Sequence, residues 1–365
     1  MIMAYFKDKL INANNAKKSD DFSCPVCKEK VVLKKGTIMS PHFSHQKNSN
    51  CVTLIEEGET EEHLLGKQQL YFFTRSNETL VENYLPEIKQ RPDLLYKSLA
   101  IEFQCSPINI NKLEHRIDGY ANQGIKSLWI LGSRYKKRFG QPSTNKFYYY
   151  FEKLGFTMFF WLTDKNKLEI RYNCRYVYGK LKYQKMEVSS LHELIQFLND
   201  PGMISSDSIN IHSLLEELRK LQNQLFYQNK KALDLQNKCY LRGHNINGAP
   251  VECHFSHTSN PVLGKEYLVW KIILLNELMD GIDYKKLLNK TNDICKLKVH
   301  YPLINNPKKF ILKEYANLLS ILSKKGYIRI IGDRIQIIKS LNWFDDYYQK
   351  IQKLSQCEGA FVDRI

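Results

Sequence analysis

Asp93 and Glu102 flank a tight turn in the stretch RPDLLYKSLAIEFQ, residues 91–104. Asp93 opens one strand and Glu102 lies inside the next, so a β-hairpin can bring both carboxylates to one point. Strand alternation puts Glu102 and Gln104 on one face and Ile101 and Phe103 on the other. A carboxylate at the centre of an apolar strand needs a partner, and a metal ion is one. The competing expectation is a Glu on an edge strand, turned to solvent or paired with Lys97. Phosphodiester hydrolysis needs an activated water and a counter-charge for the transition state. Mg²⁺ or Mn²⁺ held by one or two carboxylates supplies both. A third acidic site precedes the hairpin, in Glu59, Glu61 and Glu62, with His63 and Lys67 sharing one helix face. Glutamates in a first helical turn are also favoured by the helix dipole alone, so Glu62 is the functional candidate among them.

A second set of chemical residues lies near the start: Cys24-Pro-Val-Cys27, His42-Phe-Ser-His45 and Cys51. Zinc takes four thiolate or imidazole ligands in a tetrahedron, and close pairs joined by a loop can provide them. The intervening residues read as a hairpin with Gly36 at its turn, a zinc-ribbon-like module. The His-x-x-His spacing is short, so Cys51 can replace one histidine, and four of the five residues are expected to bind. A metal-free ribbon with packed cysteines is the alternative. A later run, Cys239, His244, Cys253, His254 and His257, matches no metal-binding spacing.

These residues need elements to hold them. A helix is expected over Glu56–Arg75 with Leu64, Leu65, Tyr71 and Phe72 as its apolar stripe. A short strand follows at Thr79–Leu85, then the hairpin, a helix over Asn109–Gln123 and a buried strand at Ser127–Leu131. That order predicts an α/β (α+β) fold with a mixed sheet. Residues 133–146 read as a basic loop, and Lys146–Lys180 as further strands. A linker is expected at 201–208. Ile211, Leu214, Leu218, Leu221, Leu225, Ala232 and Leu235 form a short heptad pattern with Gln228 in the seam. It suits an amphipathic helix packed within its own chain or a helix for oligomerisation. The last third is predicted mostly helical, ending in a helix at Leu312–Lys325 and a hairpin about Gly332–Asp333, a winged-helix-like end. The expected domains are 1–54, 55–200 and 201–365.

The chain has 365 residues, 43 % hydrophobic, which excludes a disordered protein. Its net charge of +16 favours an anionic partner, of which nucleic acid is the commonest. Lys136, Lys137 and Arg138, with Tyr148–Tyr150 nearby, can follow single-stranded DNA, although strand packing also accounts for the tyrosines. No apolar run reaches the ~20 residues of a membrane span. The start lacks a secretory signal, and nine scattered cysteines argue against a disulfide framework. A cytoplasmic protein is expected.

Four stretches carry a resemblance: CPVCKEKVVLKKGTIMSPHFSH, ETEEHLLGKQQLY, EIKQRPDLLYKSLAIEFQCSPINI and HRIDGYANQGIKSLWILG. Over roughly residues 1–135 the sequence resembles the competence protein CoiA family. The resemblance implies a restriction-endonuclease-like PD-(D/E)XK core, with Asp93 and Glu102 as metal ligands for Mg²⁺ or Mn²⁺. It maps the helix glutamate to Glu62, with Glu59 as alternate. Gln104 stands where the motif has Lys, and Lys67 is the candidate to supply that charge. Arg116 and Tyr120 follow the core and are expected to face the site and to contact nucleic acid. The implied function is a metal-dependent nuclease, or DNA-processing factor, acting on incoming DNA during transformation. The alternative is a non-catalytic DNA-binding scaffold that recruits recombinase.

Overall fold

The computed structural model describes residues 1–7, 9–36, 40–46, 49, 51, 60–74, 78–203, 211–254 and 258–356. Two compact units are present: Met1–Tyr172 with Gln184–Met203 and Pro302–Ile304, and Asn173–Tyr183 with Ile204–Tyr301 and Asn305–Ile365. The fold is mixed α and β, as the sequence order predicts.

The first unit opens with five short strands, β1 (Met3–Phe6), β2 (Lys9–Asn12), β3 (Phe22–Ser23), β4 (Lys30–Lys34) and β5 (His42–His45). They form one sheet ordered β2-β1-β3-β4-β5. In β4 the alternation of KVVLK turns Val31 and Leu33 inward, where they join Phe22 and Phe43 in a small core. β4 and β5 pair antiparallel with Val31 opposite His45, which sets the histidine beside the CPVC loop.

The larger sheet follows. Its elements are α1 (Glu61–Thr74), β6 (Thr79–Val81), β7 (Leu94–Tyr96), β8 (Leu99–Gln104), α2 (Ile110–Asn122), β9 (Lys126–Leu131), α3 (Ser133–Lys137), β10 (Tyr149–Phe151), β11 (Gly155–Leu162), β12 (Lys167–Val177), β13 (Lys180–Val188) and α4 (Leu191–Asn199). The strand order is β13-β12-β11-β9-β8-β7-β6, with β10 on β11. β8, β9 and β11 run parallel, while β6, β7 and β12 are antiparallel to their neighbours. β8 is a central strand, not an edge. Ala100, Ile101, Glu102 and Phe103 are all buried, as expected of a strand covered on both faces. The crossover from β8 to β9 is α2, whose cap Asn109 accepts a hydrogen bond from the Lys112 amide at 2.7 Å. The β7–β8 turn is at Lys97, which takes φ of +51°. α1 lies against β8 through Gly66, where a Cβ would come within 2.1 Å of the Phe103 ring.

Several expectations need correction. Of the expected stripe Leu64 is buried, Leu65 and Tyr71 are half-buried and Phe72 is 65 % exposed, and α1 also buries Gly66, Lys67, Leu70 and Phe73. The "basic loop" is α3 followed by a 3₁₀ turn at Pro142–Phe147, because Tyr135 and Phe147 are buried and in edge contact at 5.1 Å. For the tyrosines the packing alternative holds: Tyr148 is fully buried and Tyr149 donates to the Ser127 carbonyl at 3.1 Å.

The second unit contains α5 (Ile211–Phe226), α6 (Lys230–Tyr240), β14 (Thr258–Ser259), α7 (Tyr267–Glu277), β15 (Ile282–Asp283), α8 (Tyr284–Ile294), α9 (Lys308–Lys324), β16 (Ile328–Ile331), β17 (Arg334–Ile337) and α10 (Tyr347–Gln356). The heptad does not form one helix over 211–235. The chain breaks after Phe226, with Gln228 at φ of +54° and Asn229 capping α6. Leu214, Leu218, Leu221, Ala232 and Leu235 are buried within this chain, so the stripe is not available as an oligomer seam. The linker expected at 201–208 falls largely outside the described residues. Among the described residues no helix is long and apolar enough to cross a membrane.

Candidate active site and metal centre

The β7–β8 register pairs Leu94 with Ile101. Continued by one residue, it sets Asp93 opposite Glu102, and cross-strand neighbours share a face of the sheet. The Asp93 carboxylate is anchored by the backbone of the partner strand, since Oδ2 accepts from the Phe103 amide at 2.8 Å. Two residues of α1 reach the same carboxylate. His63 Nε2 lies 3.2 Å from Oδ2, and Lys67 Nζ lies 3.8 Å from Oδ1. They are one helical turn apart, the spacing that lets both address one group.

Lys67 is fully buried and donates to Glu82 Oε1 at 2.5 Å. Glu82 follows β6 with φ of +50°, and its amide donates to the Asp93 carbonyl at 3.0 Å. A non-glycine residue in that conformation costs on the order of 1 kcal/mol. The buried pair with Lys67 holds it there. The other Glu82 oxygen accepts from the amide of Ile2, the residue before β1, at 2.9 Å, which joins the N-terminal segment to this cluster.

Glu102 has its own partners. Arg116 and Tyr120, one turn apart on α2, both donate to Oε1. Arg116 also donates to the Arg91 carbonyl at 3.0 Å. Burial raises the Glu102 carboxyl to about 7, and the neighbouring Asp93 charge adds to the rise against the opposing pull of Arg116. Burial and the Glu102 charge push the Tyr120 phenol upward, so it acts as a donor.

Other expected site residues go elsewhere. Glu62 accepts from both the amide and hydroxyl of Ser133, at 2.6 and 2.9 Å, at the start of α3. Gln104 donates its amide to the Ser106 carbonyl at 2.6 Å. Glu59 is outside the described residues. Arg116 and Tyr120 are too buried to touch nucleic acid and hold Glu102 instead, which corrects that expectation. Lys136 pairs with the buried Glu169 at 3.0 Å, whereas Lys137 and Arg138 are exposed. Glu82 carried no sequence signal of its own. His63 is recoverable from its spacing to Lys67, but Glu82 comes into place only through the sheet.

The N-terminal cluster consists of Cys24, Cys27, His45 and Cys51, whose ligand atoms lie within 4.8 Å of one another. Cys24 Sγ is 4.0 Å from Cys51 Sγ, and Cys27 Sγ is 3.4 Å from His45 Nε2. Ligands about 2.0–2.3 Å from a tetrahedral ion stand about 3.3–3.8 Å apart, so the set needs little contraction to hold a metal ion. His42 is not part of it. Three residues from His45 along a strand, it faces the other side, with Nδ1 2.9 Å from the Ser40 carbonyl. Burial raises the Cys27 thiol to about 12, and the neighbouring Cys51 and Cys24 add to the rise. Of the later run, His257 is outside the described residues, and His244 stacks on Trp343 with ring centroids 4.0 Å apart. Among the described residues that run does not converge on a metal position. The cysteines described are free thiols.

The family model for the competence protein CoiA nuclease-like domain matches residues 59–198, and that for the CoiA N-terminal domain matches residues 6–53. The chain belongs to the CoiA family. Competence protein CoiA of Bacillus subtilis (strain 168) is 36 % identical over 131 residues, which are 34 % of this chain and 35 % of that protein. The chain thus matches about a third of the length of this CoiA relative. No solved structure matches it. Asp93, Glu102, Lys67, Glu82 and His63 all fall inside the CoiA nuclease-like match, and all four cluster residues fall inside the CoiA N-terminal match.

Proposed function

We propose that the protein is a metal-dependent deoxyribonuclease of the PD-(D/E)XK type, acting in the cytoplasm on incoming DNA during competence. The observation that carries this reading is the hairpin register, which sets Asp93 opposite Glu102 at the foot of a helix bearing Lys67. The donor set fits Mg²⁺ or Mn²⁺. Asp93 and Glu102 are hard oxygen ligands near enough for their charges to interact, and Glu102 is destabilised as an anion by burial and by Asp93, the condition that a divalent cation relieves. Arg116 and Tyr120 address one Glu102 oxygen, so Oε2 is the atom it offers. Such a cation would supply an activated water and a counter-charge for the phosphorane-like transition state.

The protein residues divide the remaining work. Asp93 is fixed by the Phe103 amide, so its aim does not depend on a flexible side chain. Gln104 brings no charge, and Lys67, buried beside Asp93, supports the reading in which a lysine from the helix replaces the motif's own. His63 stands at the same carboxylate and can hold or pass a proton there. The Cys24, Cys27, His45 and Cys51 set suits a structural Zn²⁺ because it offers three sulfurs and one imidazole, with no fifth ligand beside them among the described residues.

The test is cutting of single-stranded, duplex and branched DNA with Mg²⁺ or Mn²⁺. Cleavage lost in Asp93→Ala with DNA binding retained supports the nuclease. Equal background from both proteins removes it. One observation favours a second reading, a DNA-binding scaffold that recruits recombination proteins. Glu62, Asp93 and Glu102 each already have protein partners, and Gln104 is turned to Ser106. That reading predicts binding without cutting under every metal condition.

A further inference from the structure

From Tyr267 to Ile337 the second unit runs helix, strand, helix, helix, strand, strand, through α7, β15, α8, α9, β16 and β17. The strands form one sheet ordered β15-β17-β16, so the first strand pairs with the last: Ile282 faces Ile335, and Ile330 faces Ile335 from the other side. This is the chain order and strand order of a winged helix, where the third helix enters a DNA groove and the final hairpin is the wing. The packing agrees. Tyr315 of α9 is fully buried and donates to the Tyr284 carbonyl of α8 at 2.7 Å, locking the third helix onto the second. The connection between them is longer than a simple helix-turn-helix turn, and the buried Tyr301 secures it by donating to the Pro261 carbonyl at 2.5 Å.

Charge distinguishes the outer face of α9. Lys309, Lys313, Ser320 and Lys324 are exposed at spacings that put them along one side of the helix, with Lys308 and Asn317 beside them. The helix has a single carboxylate, Glu314, and it points inward to accept from the Tyr267 hydroxyl at 2.8 Å. Arg329 and Arg334 are exposed on the wing and Lys339 just beyond it, against one acid there, Asp333 at the turn.

We infer that α9 and the β16–β17 wing form a duplex-DNA-binding surface. An α-helix fits the major groove, lysines along it neutralise phosphates, and Asn317 and Ser320 are side chains able to address base edges. The surface does not depend on the nuclease reading: a protein that never cuts DNA can still bind duplex through α9.

Full-length protein carrying Asp93→Asn, so that no substrate is consumed, is titrated onto a labelled 20-base-pair duplex and onto one of its strands alone. Lys309→Glu with Lys313→Glu is compared with Lys230→Glu with Lys238→Glu, an equal charge change on the exposed side of α6. Unchanged thermal melting verifies folding of both. The α9 pair is expected to weaken duplex binding by about tenfold or more and to lower the slope of log affinity against log salt by about 2. The α6 pair should do neither, and single-strand binding should change less than duplex binding. Equal losses from both pairs would reduce the effect to net charge and overturn the inference. Unchanged duplex affinity in the α9 pair would also overturn it and would assign the surface, with its exposed Ile330, Ile331 and Ile338, to a protein partner.

Discussion

At Glu102 two requirements meet. The strand is central and buried, which penalises the anion, whereas the proposed metal-binding role needs the ionised carboxylate. Arg116 and Tyr120 reconcile them by holding one oxygen and leaving the other. Arg116→Met therefore should raise the Glu102 carboxyl further and weaken Mn²⁺ binding at neutral pH by about tenfold, read by calorimetry. The charge division between Lys67 and Gln104 is testable too. In a Glu82→Gln background, which avoids stranding a buried carboxylate, Lys67→Met should slow cutting about a hundredfold. Gln104→Lys alone should change it less than about threefold, under 1 kcal/mol of barrier. A large gain from Gln104→Lys would show that Lys67 does not supply the charge. At the metal cluster, His45→Ala should release bound zinc and His42→Ala should keep one equivalent, measured by elemental analysis. The sequence contained both histidines, and only the alternation of β5 about the Val31 register separates them.

Among the elements, α1 is the one whose placement matters most, because it brings His63 and Lys67 to a carboxylate on a different element. Its seat is Gly66 on Phe103. Gly66→Ala should destabilise the fold by about 1–3 kcal/mol, and Phe103→Leu in the same chain should recover part of that by vacating the ring. α5 and α7 carry a titration of their own. Burial raises Glu217 to about 7 and lowers Lys271 to about 8. The folded state thus prefers neutral Glu217, so its contribution to stability falls as pH rises from about 4.5 to 7. It also prefers neutral Lys271, whose contribution rises between about pH 8 and 10.5. Lys271→Met removes the main opposing charge and pushes Glu217 higher still. The melting loss relative to native protein should be larger at about pH 8.5 than at about pH 5.5, where Glu217 is protonated in both. The hairpin, α2 and β9 were legible because a turn, a cap and an apolar run mark them locally. The heptad misled because spacing alone does not reveal that Gln228 and Asn229 end one helix and begin another. The 133–146 segment misled because its charges mask the aromatic anchors that fold it, Tyr135 within it and Phe147 immediately after.

Across the whole molecule, a net charge of +16 announces an anionic partner without saying where it lies. The pairing of Lys136 with Glu169 and of Lys67 with Glu82 shows that some of that charge is spent internally. Only the packed structure separates those cations from Lys137, Arg138 and the α9 lysines, which face solvent. DNA affinity of the full chain should fall by orders of magnitude between about 50 and 200 mM salt where six or more phosphates are contacted. The bond from the Ile2 amide to Glu82 carries a consequence for the order of assembly. Every residue of the Cys/His cluster precedes Glu82 in the chain, so during synthesis the small sheet could close on the proposed ion while the larger sheet is still being made. When Glu82 emerges, it meets a donor already fixed in space. Starved of that ion on the ribosome, β1 would be late, and the Lys67 ammonium would have to wait for a carboxylate that is not yet held in its strained backbone. If the cluster holds zinc as proposed, zinc supply at the moment of translation should govern how much of the chain matures, and chelation after folding is complete should matter far less.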